Sequence, residues 1–244
     1  PKANTCRFNR YRDCLMLVSG LEIAAVLFDL DNTLVDRDDA VRNLARKMYT
    51  GVGVTDSAIS EESFVAEFVR IDAGGTIPDK RVQMTAVASE LSTRVNDADQ
   101  LLDWWNREYP AAFSLGRPTR LTLGGLIEIS IPWGIVTNGS PLQQTVIESL
   151  GLHQVASSVV VSSLVELRKP DRRIFELGMS LVAGEIAAGK FLFVGDNPTA
   201  DIVGASDAGM KTAWVSSGRE WAVSGSKPDV VIESVGELTR MISV

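Results

Sequence analysis

Six short apolar runs, separated by stretches of helical length, constrain this chain more than any other feature of its sequence. The runs are Ile23–Phe28, Trp133–Thr137, Val159–Val161, Phe191–Val194, Thr212–Val215 and Val230–Ile232. Continuous apolar segments of this length read as strands buried on both faces. Between them, stretches such as 141–150, 172–181 and 200–209 carry apolar residues at helical spacing. Strand alternating with helix calls for right-handed crossovers and helices on both faces of a mainly parallel sheet. The expected class is α/β, with a doubly wound sheet.

The alternation fails between residues 37 and 111, where strand signals are nearly absent. Helical periodicity there predicts helices over 40–49, 61–71, 79–91 and 97–108. An inserted helical domain explains the stretch better than a structureless loop of that length, which compact domains rarely contain. The expected division is a core of residues 20–36 plus 112–244, a helical cap over 37–111, and an N-terminal extension over 1–19. The charge run Asp36–Asp39 and the segment Pro110–Pro118 read as the linkers. No internal repeat or low-complexity tract interrupts the pattern.

Composition narrows the function. Of 244 residues, 45% are hydrophobic, and no run approaches the length needed to cross a bilayer, so neither disorder nor a membrane span is expected. The 24 basic and 31 acidic residues leave a formal charge of −7, which disfavours a nucleic-acid polymer as partner. A small anionic ligand is not excluded, because a local site can oppose the overall charge. With His153 as its single histidine, the chain cannot build a multi-histidine metal site, and its chemistry is expected to run on carboxylates. Two cysteines, Cys6 and Cys14, suit a reducing compartment, and a cytoplasmic location is expected. Arg7, Arg10 and Arg12 ahead of Cys14–Val18 mimic a signal peptide, but no small-residue cleavage site follows before Ile23.

Four segments at strand ends carry candidate chemistry. In the first, Asp29 and Asp31 follow the Ile23–Phe28 run two positions apart, so both carboxylates face one side while the chain stays extended. Like charges so placed ask for a cation or a shared proton; the bland alternative is an Asp-rich loop. A calcium loop fits poorly, since Leu34 stands where its glycine is required. Thr137-Asn138-Gly139-Ser140, ahead of a helix, offers a hydroxyl and free amides for an anion, or simply a strand–turn–helix junction. Lys169, after the Val159 strand, is suited to hold a phosphate as a point charge, or to sit in a solvated basic turn. The last segment sets Asp196 and Asp201 behind Gly195, and carboxylate oxygens are what Mg²⁺ takes.

Taken together, Asp29-x-Asp31-x-Thr33, Thr137, Lys169 and Gly195-Asp196-x-x-x-x-Asp201 resemble the four motifs of the haloacid dehalogenase superfamily, in the family's order. The resemblance covers residues 22–235 and implies a Rossmann-like core with a helical C1-type cap. It implies that Asp29 is a nucleophile forming an aspartyl-phosphate, and that Asp31 protonates the leaving oxygen and then activates water. Mg²⁺ would be held by Asp29, the Asp31 main-chain carbonyl, Asp196 and Asp201. Thr137, the amides of Asn138 and Gly139, and Lys169 would hold the phosphoryl oxygens. The implied activity is an Mg²⁺-dependent phosphohydrolase acting on a small phosphorylated metabolite.

Rival readings remain at this point. A phosphomutase shares the aspartyl-phosphate step. A haloacid dehalogenase typically lacks the second aspartate and needs no metal, and a non-catalytic binding protein would be expected to have lost a motif residue. The cap, hinged at the two linkers, is expected to act as a mobile lid. Gly184–Lys190 mimics a phosphate-binding loop but precedes a strand and ends before Phe191. Trp104 and Trp105 are expected to pack at the hinge between cap and core, and His153 is assigned no chemistry. The Asn138-Gly139-Ser140 sequon is an accidental match.

Overall fold

The computed structural model describes residues 15–77 and 79–243, so Cys6, Cys14 and the three early arginines lie outside the described residues. It divides into two compact units, one running through Val35 and resuming at Leu115, the other Asp36–Ser114.

In the first unit, β1 (Met16–Val18) and β2 (Leu21–Ile23) form an antiparallel pair ahead of β3 (Ala25–Phe28). The run Ile23–Phe28 is therefore not one strand. It breaks at Ala24, whose N–H donates to the Lys190 carbonyl at 2.8 Å. Residues 16–18, expected in an extension, instead belong to a small second sheet, because β1 also pairs with Ile242–Ser243. Strands of two or three residues carry too little pattern to be read, and this partner comes from the opposite end of the chain.

The second unit contains α1 (Arg37–Gly51), α2 (Glu61–Asp72), α3 (Lys80–Glu90) and α4 (Ala98–Glu108). Each starts behind a side-chain cap: Asp36, Ser60, Asp79 and Asp97 accept from amides of the following turn. Asp36–Asp39 is thus the start of α1 and not a linker, since aspartate caps and stabilises a helix N-terminus. An aromatic column runs through the unit from Tyr49 by Phe64, Phe68, Trp105 and Tyr109 to Phe113, with centroids 4.8 to 6.3 Å apart. Trp105 lies in the interior of the helical unit, which corrects its expected place at a hinge.

The first unit resumes with α5 (Arg117–Glu128), whose first turn takes in Pro118, a position that proline tolerates. The second expected linker is therefore also partly helical. Next come β4 (Trp133–Thr137), α6 (Leu142–Ser149), β5 (Ser158–Val161), the short α7 (Ser162–Val165) and α8 (Arg172–Ala183). After β6 (Phe191–Gly195) the chain makes a π-helical turn at Pro198–Val203 and then α9 (Gly204–Asp207). It closes with β7 (Lys211–Val215), β8 (Val230–Ile232), α10 (Leu238–Met241) and β9, the pair Ile242–Ser243.

Strands β3 to β8 form one six-stranded parallel sheet in the order β5-β4-β3-β6-β7-β8. This is the doubly wound, Rossmann-like sheet expected. The chain builds outward from β3 on one side through β4 and β5, then crosses to β6 on the other. The reversal makes the carboxyl end of β3 a topological switch point, where α/β sheets bind ligands. Helix α8 lies close on the sheet because Gly178 has no side chain, and a Cβ there would come within 2.7 Å of Val136. Phe175 of α8 meets Phe193 edge-on at 5.1 Å.

Arg37 and Asp72 form a buried two-pronged ion pair in the helical unit, at 2.8 and 3.0 Å, with Gln83 also donating to Asp72 at 3.2 Å. Burial pushes the Asp72 carboxyl up, but Arg37, Lys80 and Gln83 outweigh it and the net shift is downward. A lowered folded-state pKa means the pair stabilises the fold above the unfolded carboxyl pKa and stops doing so as pH falls through the folded one. Asp72→Ala should therefore cost about 3–5 kcal/mol at neutral pH, because the buried Arg37 charge loses the Asp72 carboxylate that opposes it. Thermal melts should show the difference from wild type shrinking in acid; a constant difference down to the lowest folded pH would contradict the account.

Candidate active site

Each segment that carries a candidate residue leaves the carboxyl end of a strand in the parallel sheet. Asp29 directly follows β3, and its N–H extends the ladder to the Val194 carbonyl at 2.9 Å. Beyond it the chain curls round Leu30, whose carbonyl accepts from Thr33, Leu34 and Val35. Leu30 and Leu34 are buried, which anchors this turn and holds Asp31 between them. Asn32 takes a left-handed φ of 55°, a conformation asparagine accepts more readily than most residues.

Lys169 is the hub. Its Nζ donates to Asp29 Oδ1 at 2.6 Å and ion-pairs with Asp201 Oδ1 at 2.7 Å, outside hydrogen-bond angles for the second contact. The relative exposures are 6% for Asp29, 3% for Lys169 and 1% for Asp201, so all three charges are withdrawn from water. The lysine is held by its backbone: Asn138 Nδ2 donates to the Lys169 carbonyl at 3.0 Å, and the Lys169 N–H donates to Asn138 Oδ1 at 2.9 Å. Beneath the ammonium lies the Phe193 ring, 5.2 Å to its centroid.

Asp201 sits in the π-helical turn. Asn197 caps that turn by accepting from Thr199 and Ala200, and its own N–H donates to Asp201 Oδ2 at 2.9 Å. Gly195 must lack a side chain, because a Cβ there would overlap the Asp201 carboxyl. Asp196 is fixed from outside. Trp214 Nε1 donates to its carbonyl at 2.9 Å, and Arg219 donates to the same carbonyl and to Oδ2 at 3.2 Å.

Asp29, Asp196 and Asp201 each present a carboxylate oxygen within 4.8 Å of the others. Such a cluster of hard oxygen donors suits a divalent cation of the Mg²⁺ kind. Burial first, and then the charge of Asp201, drive the Asp29 carboxyl well above its usual range, against the pull of Lys169. Burial alone would favour a neutral Lys169, but Asp201 and Asp29 outweigh it and the ammonium is reinforced. Asp196 is raised to about 6 by burial and by Asp201, with Arg219 opposing. A cation among them would reverse the carboxylate shifts by favouring the ionised forms.

The remaining expected residues divide. Thr137 ends β4 with a buried Oγ1 that has no hydrogen-bond partner among the described residues, an orphan suited to a ligand oxygen. The Asn138 side chain serves to staple the Lys169 segment. The Gly139 amide, expected to face a phosphate, donates to Ser162 Oγ at 3.0 Å. Four residues escaped the sequence reading as site residues: Gln143, Ser162, Asn197 and Arg219. Asn197, as an Asn-Pro pair ahead of Asp201, carried a readable capping signal. The other three are single polar residues brought in by the fold, with no local signature.

The family model of the haloacid dehalogenase-like hydrolases matches residues 26–215. The chain belongs to that family. The ribulose-1,5-bisphosphate 5-phosphatase of Halopiger xanaduensis is 31% identical over 242 residues, 90% of this chain and 99% of that one. The pyrimidine 5'-nucleotidase YjjG of Escherichia coli is 32% identical over 126 residues, 51% of this chain and 56% of its own length. In structure, the HAD-hydrolase YfnB of Bacillus subtilis superposes with a TM-score of 0.72 at 21% identity, covering 90% of this chain and 98% of that one. This family member is an enzyme, a hydrolase of the phosphatase type.

Proton competition at Asp196 gives a direct test of the cluster. Below about pH 6 its carboxyl takes a proton that a cation must displace. Calorimetric titration should show Mg²⁺ binding weakening as pH falls through that value, with net proton release. Affinity independent of pH between 5 and 8 would speak against Asp196 as a ligand.

Proposed function

We propose that the protein hydrolyses a small organic phosphomonoester, with Mg²⁺, through an aspartyl-phosphate on Asp29. The observation that carries the proposal is Lys169 held between buried Asp29 and Asp201, with the half-buried Asp196 carboxylate within 4.8 Å of theirs. A dehalogenase needs no cation and no second carboxyl at position 31. Neither a mutase nor a non-catalytic protein has a specific feature here in its favour.

In this reading Lys169 and the Thr137 hydroxyl bind phosphoryl oxygens and orient the ester for in-line attack. An Asp29 carboxylate oxygen forms a bond to phosphorus while the bond to the ester oxygen breaks. Asp31 gives its proton to that departing oxygen, so the product leaves as an alcohol. Water then attacks phosphorus, Asp31 takes the proton from it, and the Asp29 carboxylate is released with inorganic phosphate. Mg²⁺, held by Asp29, the Asp31 carbonyl, Asp196 and Asp201, would neutralise charge between nucleophile and phosphate.

The names of the relatives support a sugar phosphate, free or within a nucleotide, as the substrate class. Such esters release poor alkoxide leaving groups, and that gives Asp31 its task. The small size assigned to the substrate rests on the insertion of residues 36–114 a few positions after Asp31. The cysteine content supports a cytoplasmic setting.

Asp29→Asn should lower turnover on the order of 10³-fold or more without changing the melting temperature by much. Chelation should abolish wild-type activity, and added Mg²⁺ should restore it. Full activity in the variant or in chelator would overturn the mechanism. Matched kinetics should also favour a small sugar phosphate over a folded phosphoprotein, and a higher kcat/KM on the phosphoprotein would overturn the substrate class.

A further inference from the structure

Gln143 has no part in the reaction just described, yet the fold spends three features on placing it. It is 5% exposed, and its Nε2 donates to Asp31 Oδ2 at 2.5 Å. Its backbone N–H donates to the Ser140 carbonyl at 3.0 Å, so its position is set by the turn that follows β4. Gly139 clears the way, because a Cβ there would overlap the Gln143 side chain. That turn is itself fastened by the Gly139 amide on Ser162 Oγ.

We infer that Gln143 is a positioning residue for the acid–base carboxyl of Asp31. The inference rests on the reading that Asp31 moves the proton. A carboxyl turns freely about its last side-chain bond unless something holds it, and a misplaced proton donor loses much of its effect. An amide N–H on Oδ2 fixes the carboxyl plane and directs the transferable proton to Oδ1. A neutral amide does so without adding charge beside a group that must exist both protonated and ionised. Gln143 thus acts on the two proton transfers and not on phosphate binding.

The test compares Gln143→Met, Asp31→Asn and the double variant on ribose 5-phosphate and p-nitrophenyl phosphate, with Mg²⁺ present. Gln143→Met should lower kcat on ribose 5-phosphate by about 10- to 100-fold, within the range for general acid–base effects. KM should change less than about twofold, and the loss should be smaller on the aryl ester, whose leaving group needs little protonation. In the Asp31→Asn background the same substitution should cost almost nothing more, because residues acting as a unit are not additive. Equal losses on both substrates, or an undiminished loss in the Asp31→Asn background, would overturn the inference in favour of a packing role. If Asp31→Asn is impaired and Gln143→Met is not, the inference alone fails. If Asp31→Asn retains full turnover, the acid–base reading fails and takes the inference with it. Gln143→Leu likewise removes the amide donor without adding charge, and it carries the same expectations should the methionine variant prove unstable.

Discussion

A buried ammonium between two buried carboxylates is the constraint on which the rest of the catalytic unit depends. Withdrawing an ion from water costs several kcal/mol even after relaxation, and the cost is recovered only where geometry and further hydrogen bonds are good. Lys169 meets that condition at 2.6 and 2.7 Å from Asp29 and Asp201. The supporting bonds follow from the same requirement: Asn138 holds the lysine backbone, Asn197 holds Asp201, and Arg219 with Trp214 holds Asp196. Removal of the lysine charge would leave both carboxylates uncompensated, whereas loss of one carboxylate leaves the ammonium paired with the other. The cluster is best seen as one unit with a remaining excess of negative charge, which a divalent cation would neutralise.

The sheet makes that unit affordable. Parallel strands end side by side, so residues far apart in sequence reach one edge without long loops. Asp29 and Lys169 are separated by 140 positions, yet they meet because β3, β4 and β5 lie side by side and the segments that carry both residues leave the same end of the sheet. Tight packing beneath keeps those strand ends in place. Gly178 lets α8 approach Val136, and Gly204 allows the segment after the π-helical turn to lie against Phe175 and Pro170. A methyl group at either position would have to displace its neighbours.

The helical unit is stabilised by different means. Its aromatic column and its Arg37–Asp72 pair lie wholly within residues 36–114, and each helix has its own cap. A unit with its own core can change its surface residues without disturbing the carboxylate cluster.

The sequence by itself determined the doubly wound sheet, its six strands and the four helices of the insert, because each has a strong local period or a capping residue. It also marked Asp29, Lys169, Asp196 and Asp201, each of them ordinary alone, through the resemblance of their combined order to the four family motifs. What it could not determine was non-local. The pairing of Met16–Val18 with Ile242–Ser243 joins segments too short to carry a pattern. Trp105 could be given an interior place only once Phe68 and Tyr109 were beside it. Gln143, Ser162 and Arg219 are ordinary polar residues until the fold sets them against Asp31, Gly139 and Asp196. A local period records what a segment buries, whereas a hydrogen bond across the sheet edge depends on two segments at once, and only the tertiary structure decides it.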